Sequence, residues 1–73
     1  MTAAENLDPV IVDARGMKCP WPALRLARAM RTDPAVILLA DDPQAEREVA
    51  ALAGEHGWTV TTEAAGRWLV RRT

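Results

Sequence analysis

The 73-residue sequence predicts a two-layer α/β (α+β) sandwich, a four-stranded mixed sheet with two helices on one face, and three observations predict it. Two apolar runs of strand length, Val10-Ile11-Val12 and Ala35 to Ala40, flank a stretch whose apolar residues recur at helical spacing. That is a β-α-β unit. A second helical stretch follows, and the chain closes with two alternating segments around a glycine turn. Because a parallel β-α-β crossover is almost always right-handed, both helices can lie on one face of the sheet.

Taken in order, Pro9 precedes the β-branched run Val10 to Val12, which ends at Asp13, and Ala14-Arg15-Gly16 reads as a turn. The first helix starts within Cys19 to Pro22, since proline is tolerated where backbone N–H groups have no helical partner, and runs to about Arg31. At 100° per residue Ala23, Leu24, Leu26, Ala27 and Met30 share a broad core arc, while Trp21, Arg25 and Arg28 share the outer side. Thr32-Asp33-Pro34 breaks this helix, and the unbroken apolar run AVILLA has the pattern of a central strand flanked on both sides. Asp42 is expected to N-cap the second helix with Pro43 as its first residue. Ala45, Val49, Leu52 and Ala53 form its buried stripe until Gly54 to Gly57 end it. Trp58 to Glu63 and Arg67 to Arg71 alternate as a hairpin about Ala64-Ala65-Gly66, with Trp68 and Val70 on one face. The whole chain, 1–73, reads as one domain with a flexible tail over 1–8.

A chain of this length buries roughly 60% of its unfolded surface, enough for one core but too little for a deep enclosed cleft. One cysteine excludes an internal disulfide, and Cys19 with His56 cannot supply the ligands of a zinc site, so neither metal nor cofactor is expected. A free thiol suits a reducing compartment. The polar start has no signal-peptide pattern and no apolar run spans a bilayer, so a soluble cytoplasmic location with no membrane partner is expected.

Net charge −1 with a pI of about 5.7 argues against direct nucleic-acid binding. The charge is uneven: Arg15 to Arg31 carries five bases and no acid, whereas Thr32 to Glu63 carries seven acids and one base. Cys19 therefore stands in the basic region, at the start of a helix and beside Arg15 and Lys18. Both the helix end and the cations are expected to favour its thiolate. Pro20 and Pro22 stiffen the segment that presents it. A lone free cysteine is also among the residue types most often buried as a small hydrophobe, and these features alone leave the two readings open. His56 falls at the far end of the second helix, on the opposite edge of the sheet, so a Cys–His dyad is not expected. Asp41 and Asp42 share the cysteine's edge. An outward Trp21 with Arg25 and Arg28 has the composition of a protein-docking patch.

The run VDARGMKCPWPALRLARAM, followed by a strand and ADDPQAEREV, resembles the TusA/SirA-like family of small sulfur carriers over residues 10 to about 72. The most specific likeness is Asp13-x-x-Gly16-x-x-Cys19-Pro20-x-Pro22 together with Asp42-Pro43. The resemblance implies that Cys19 takes sulfane sulfur as a persulfide from a cysteine desulfurase or a rhodanese and hands it to an acceptor protein. It further implies a relay carrier more than an enzyme with its own turnover. Family relays end in tRNA 2-thiouridine synthesis, molybdenum-cofactor metabolism or sulfur oxidation. Asp13, Arg15, Gly16, Lys18, Pro20, Pro22, Asp42 and Pro43 then support the site, and Trp21, Arg25 and Arg28 face partners. This chain departs from the pattern at Trp21, where relatives often have an acidic or polar residue. It also lacks the second cysteine of some members, with Leu52 and Ala53 in that region. The competing reading is a regulatory protein- or RNA-interaction module that uses the Trp21/Arg25/Arg28 face, with Cys19 structural.

Overall fold

The structure, a computed structural model, describes residues 8–72, so all of the expected N-terminal tail except Asp8 lies outside the described residues. The elements run β1 (Val10–Asp13), α1 (Trp21–Met30), β2 (Ala35–Leu39), α2 (Ala45–His56), β3 (Thr59–Ala64) and β4 (Arg67–Arg71). The sheet order is β1-β2-β4-β3: β1 and β2 are parallel, and β4 is antiparallel to both β2 and β3. This is the expected mixed sheet, and the unbroken apolar strand β2 is interior to it, where each neighbour satisfies one side of its backbone.

Both helices pack on one face. Val12, Val36, Leu38, Trp68 and Val70 of the sheet bury against Leu26 and Met30 of α1 and Ala45 and Val49 of α2. On the other face Ile11, Ile37 and Leu69 line up across three strands through the pairs Ile11↔Ile37 and Ile37↔Leu69. Ile37 is buried there, and Ile11 on the edge strand is exposed.

The buried line of α1 is Pro22, Leu26 and Met30, spaced i, i+4, i+8. This corrects the expected arc at one residue, because Leu24 is 50% exposed while Ala23 and Ala27 are half-buried. At 100° per residue Leu24 lies about 160° round the helix from Leu26, at the far edge of the expected arc, so a buried line centred on Leu26, with fully buried Pro22 one turn before it, leaves Leu24 outside. Ala23 and Ala27, small residues, then face α2, and a shallow groove forms between the helices, lined by Pro20, Ala23, Leu24, Ala27, Glu48, Ala51, Leu52 and Glu55.

The start of α2 also differs from expectation. Its first helical residue is Ala45. Asp42 closes the preceding turn, accepting the Gln44 N–H at 2.8 Å on its side chain and the Ala45 N–H at 2.9 Å on its carbonyl. Asp-Pro thus builds a separate turn that leads into the helix. Gly57 ends α2 in the left-handed conformation, φ 74°. At the hairpin Gly66 is required twice: its φ is +74°, and a Cβ there would meet the Ala40 carbonyl oxygen at 2.6 Å, the residue whose N–H Gly66 O accepts. No described helix is long and apolar enough to cross a membrane.

Leu26 is fully buried between the sheet and α2, so Leu26→Ala is expected to lower the unfolding free energy by about 2–5 kcal/mol, read from urea denaturation. A loss below about 1 kcal/mol would contradict this packing.

Candidate functional site

The parallel pairing of β1 with β2 brings the loops that follow them to the same edge of the sheet. Two adjacent carboxylates of the second loop hold the first. Asp41 Oδ1 accepts the Gly16 N–H at 2.9 Å, and Asp42 Oδ2 accepts the Cys19 N–H at 2.7 Å. Gly16 takes a left-handed φ of 85°, which glycine adopts without cost. Asp42 is the half-buried member of the pair and carries two backbone N–H bonds, from Gln44 and Cys19, that hold its carboxyl below the usual carboxylate range. The motif residues Asp13, Gly16, Cys19 and Asp42 are therefore assembled on one rim.

Cys19 is exposed, and the peptide bond to Pro20 is cis. Its Sγ–H donates to Glu48 Oε2 of α2 at 3.1 Å. This contact decides the electrostatics of the sulfur. The Glu48 hydrogen bond, then desolvation, then the negative charges of Glu48 and Asp42 push the thiol pKa up, opposite to the lowering expected from Arg15, Lys18 and the helix end.

Three local facts explain the reversal. Arg15 is spent on Asp13, which it grips through Nε and Nη2 at 2.9 and 2.8 Å. The same pairing draws the Asp13 carboxyl down to about 2, so the contact persists at neutral pH and is lost as pH falls through that value. The charge of Lys18 acts on Asp42. At the helix end, Pro20 and Pro22 have no N–H, and the Trp21 N–H donates to Lys18 O at 2.8 Å, so α1 presents fewer N–H groups to an anion than an ordinary helix start.

The remaining expected residues divide by position. Pro20 occupies the N-cap position of α1 and lines the interhelical groove, Pro22 is in the core, and Pro43 lies in the exposed turn before α2. Trp21, Arg25 and Arg28 form an exposed stripe, with Trp21 58% exposed. The side chain of Arg25 reaches back to Met17 Sδ at 3.8 Å, tying the stripe to the cysteine loop. His56 stacks on Trp58, ring centroids 4.4 Å apart, beside Met30 and Arg31 at the C-terminal end of α1. The ten-residue helix, about 15 Å long, separates it from Cys19, as expected.

Glu48 is the residue that sequence reasoning missed. A signal existed: on α2 it lies three residues after buried Ala45 and four before Leu52, so it stands on the side of the helix turned toward α1, half-buried.

The family model described as sulfurtransferase TusA matches residues 10–72, nearly the whole chain and every residue of this rim. The chain belongs to the TusA sulfurtransferase family. No curated protein matches the sequence. Membership of the TusA family assigns the chain a sulfur-carrier or sulfurtransferase role in general and, with it, sulfur-relay partners.

With the thiol pKa raised, native Cys19 is expected to be alkylated by iodoacetamide more slowly at mildly alkaline pH than the same cysteine in the urea-unfolded chain, despite its exposure. Equal or faster alkylation of the native protein would show that the carboxylates do not govern the sulfur.

Proposed function

We propose that Cys19 is the sulfur-bearing atom of a relay carrier: it accepts sulfane sulfur as a persulfide from a cysteine desulfurase or a rhodanese and delivers it to an acceptor protein. The observation that carries the reading is the placing of the chain's one cysteine on an exposed rim, its backbone N–H clamped by Asp42, in a chain of the TusA family. A rim sulfur can be reached in turn by two protein active sites, and a clamped main chain presents it in the same place to both. The open surroundings also suit such a carrier, which needs no enclosed cleft of its own because the donor supplies activated sulfur.

The acceptor relay is one of the three chemistries that the family serves: tRNA 2-thiouridine synthesis, molybdenum-cofactor metabolism or sulfur oxidation. Supporting roles divide by contact. Asp13 and Arg15 stiffen the exit of β1, Gly16 and Asp41 fold the loop, and Asp42 anchors Cys19. Lys18 compensates the Asp42 charge, Pro20 and Pro22 fix the start of α1, and Pro43 opens the turn into α2. Trp21, Arg25 and Arg28 are the surface that a relay partner reads. The stripe's exposed indole favours protein contact over RNA, for which the acidic pI is also unsuited.

Incubation with a cysteine desulfurase and cysteine, or with a rhodanese and thiosulfate, is expected to add the mass of one sulfur atom to the intact protein. The addition should be removed by reductant and be absent in Cys19→Ser; failure with both donors would end the reading. Trp21→Ala should retain loading by inorganic polysulfide while sulfur transfer from the protein donor falls, on the order of tenfold, as for a buried aromatic anchor. Unchanged transfer would remove Trp21 from the partner surface.

A further inference from the structure

Resting on the carrier reading of Cys19, we propose that Glu48 distinguishes the empty carrier from the loaded one, holding the neutral thiol by a hydrogen bond and opposing the anionic persulfide that replaces it.

Loading exchanges bonds without net oxidation. The Cys19 sulfur attacks the terminal sulfur of a donor persulfide, the donor's S–S bond breaks, and its electron pair leaves on the donor cysteine sulfur. That sulfur takes up the proton that Cys19 gives up, so R–S–SH and Cys19–SH become R–SH and Cys19–S–SH. A persulfide is more acidic than the parent thiol, and at neutral pH it releases its remaining proton to water.

The two states then meet Glu48 differently. In the empty protein the exposed Cys19 Sγ–H donates at 3.1 Å to Oε2 of Glu48, a half-buried side chain that lines the interhelical groove. In the loaded protein there is no proton to donate, and a negative sulfur one bond farther out faces a negative carboxylate. The other charged groups around the sulfur do not offset this. Asp42, from the loop before α2, adds a second negative charge, Lys18 acts on Asp42, and Arg15 is paired with Asp13. The raised thiol pKa is the empty-state half of the same balance. Glu48 therefore stabilises the discharged form relative to the charged one and shifts the exchange equilibrium toward the acceptor. A group in direct contact with the reacting sulfur thus biases the exchange toward discharge.

Wild type, Glu48→Gln and Glu55→Gln test this. Glu55 lines the same groove two turns along α2, so its variant removes the same charge without touching the sulfur. In the empty proteins the pH profile of iodoacetamide alkylation should move to lower pH in Glu48→Gln, with a rate ~3- to 10-fold higher at neutral pH, because the thiolate fraction rises about tenfold for each whole step by which the pKa falls. At equilibrium with a fixed ratio of glutathione persulfide to glutathione, intact mass should show a loaded-to-empty ratio ~3- to 10-fold higher in Glu48→Gln. Glu55→Gln should follow wild type in both.

A Glu48→Gln alkylation profile or loaded ratio that superimposes on wild type overturns the proposal, as does an equal change in Glu55→Gln. Wild type that takes no sulfur from glutathione persulfide or from either protein donor, while Glu48→Gln still moves the alkylation profile, overturns the carrier reading itself and leaves Glu48 as a modulator of a plain thiol.

Discussion

The carboxylate of Asp42 joins two loops that lie 23 residues apart in the chain, and the geometry of the sulfur rim depends on it. One oxygen takes the Cys19 N–H and the other takes the Gln44 N–H, so the cysteine is referenced to the start of α2 through a single rigid group. Two bonds on one carboxylate suppress rotations that a single bond would allow. The neighbouring Asp41 takes the Gly16 N–H with a single bond, and the loop after β1 is thereby held at both ends. This works because β1 and β2 are parallel neighbours, which places both loops at one edge with no intervening strand.

Holding the rim with acids has an electrostatic consequence. Backbone N–H groups need acceptors, and side-chain carboxylates are strong ones, but here they surround a sulfur with negative charge. Glu48 completes that field from α2. The bases that crowd the same stretch of sequence do not cancel it: Arg15 is paired with Asp13, and Arg25 and Arg28 point outward. A thiol kept protonated is a poor nucleophile and a poor target for oxidants, a resting condition that protects an exposed cysteine.

Much of the fold is legible because the local signals agree with one another. The element order, the mixed sheet, the interior position of β2 and the hairpin turn at Gly66 all follow from period, proline placement and glycine. What is not legible has a common origin in contacts between distant parts of the chain. The broad apolar arc of α1 runs from Leu26 to Leu24, about 160° apart, and only packing on the sheet decides that its buried line is Pro22, Leu26 and Met30 and that Leu24 is left outside. The turn at Asp42 to Ala45 displaces the helix start because Asp42 has a second, distant N–H to satisfy. The thiol pKa moves up and not down because the charges next to Cys19 in sequence are not the ones next to its sulfur in space.

By itself the sequence determined the layers of the fold, the place of a stiffened Cys19 at the head of α1 and the outward stripe of Trp21, Arg25 and Arg28. Each of these depends on the residue types within a few turns of chain. Only the tertiary structure decided the exposure of the sulfur and the charge that it experiences. Electrostatic interaction falls with distance through space, and the carboxylate that takes the Sγ–H bond, that of Glu48, is 29 residues away along the chain.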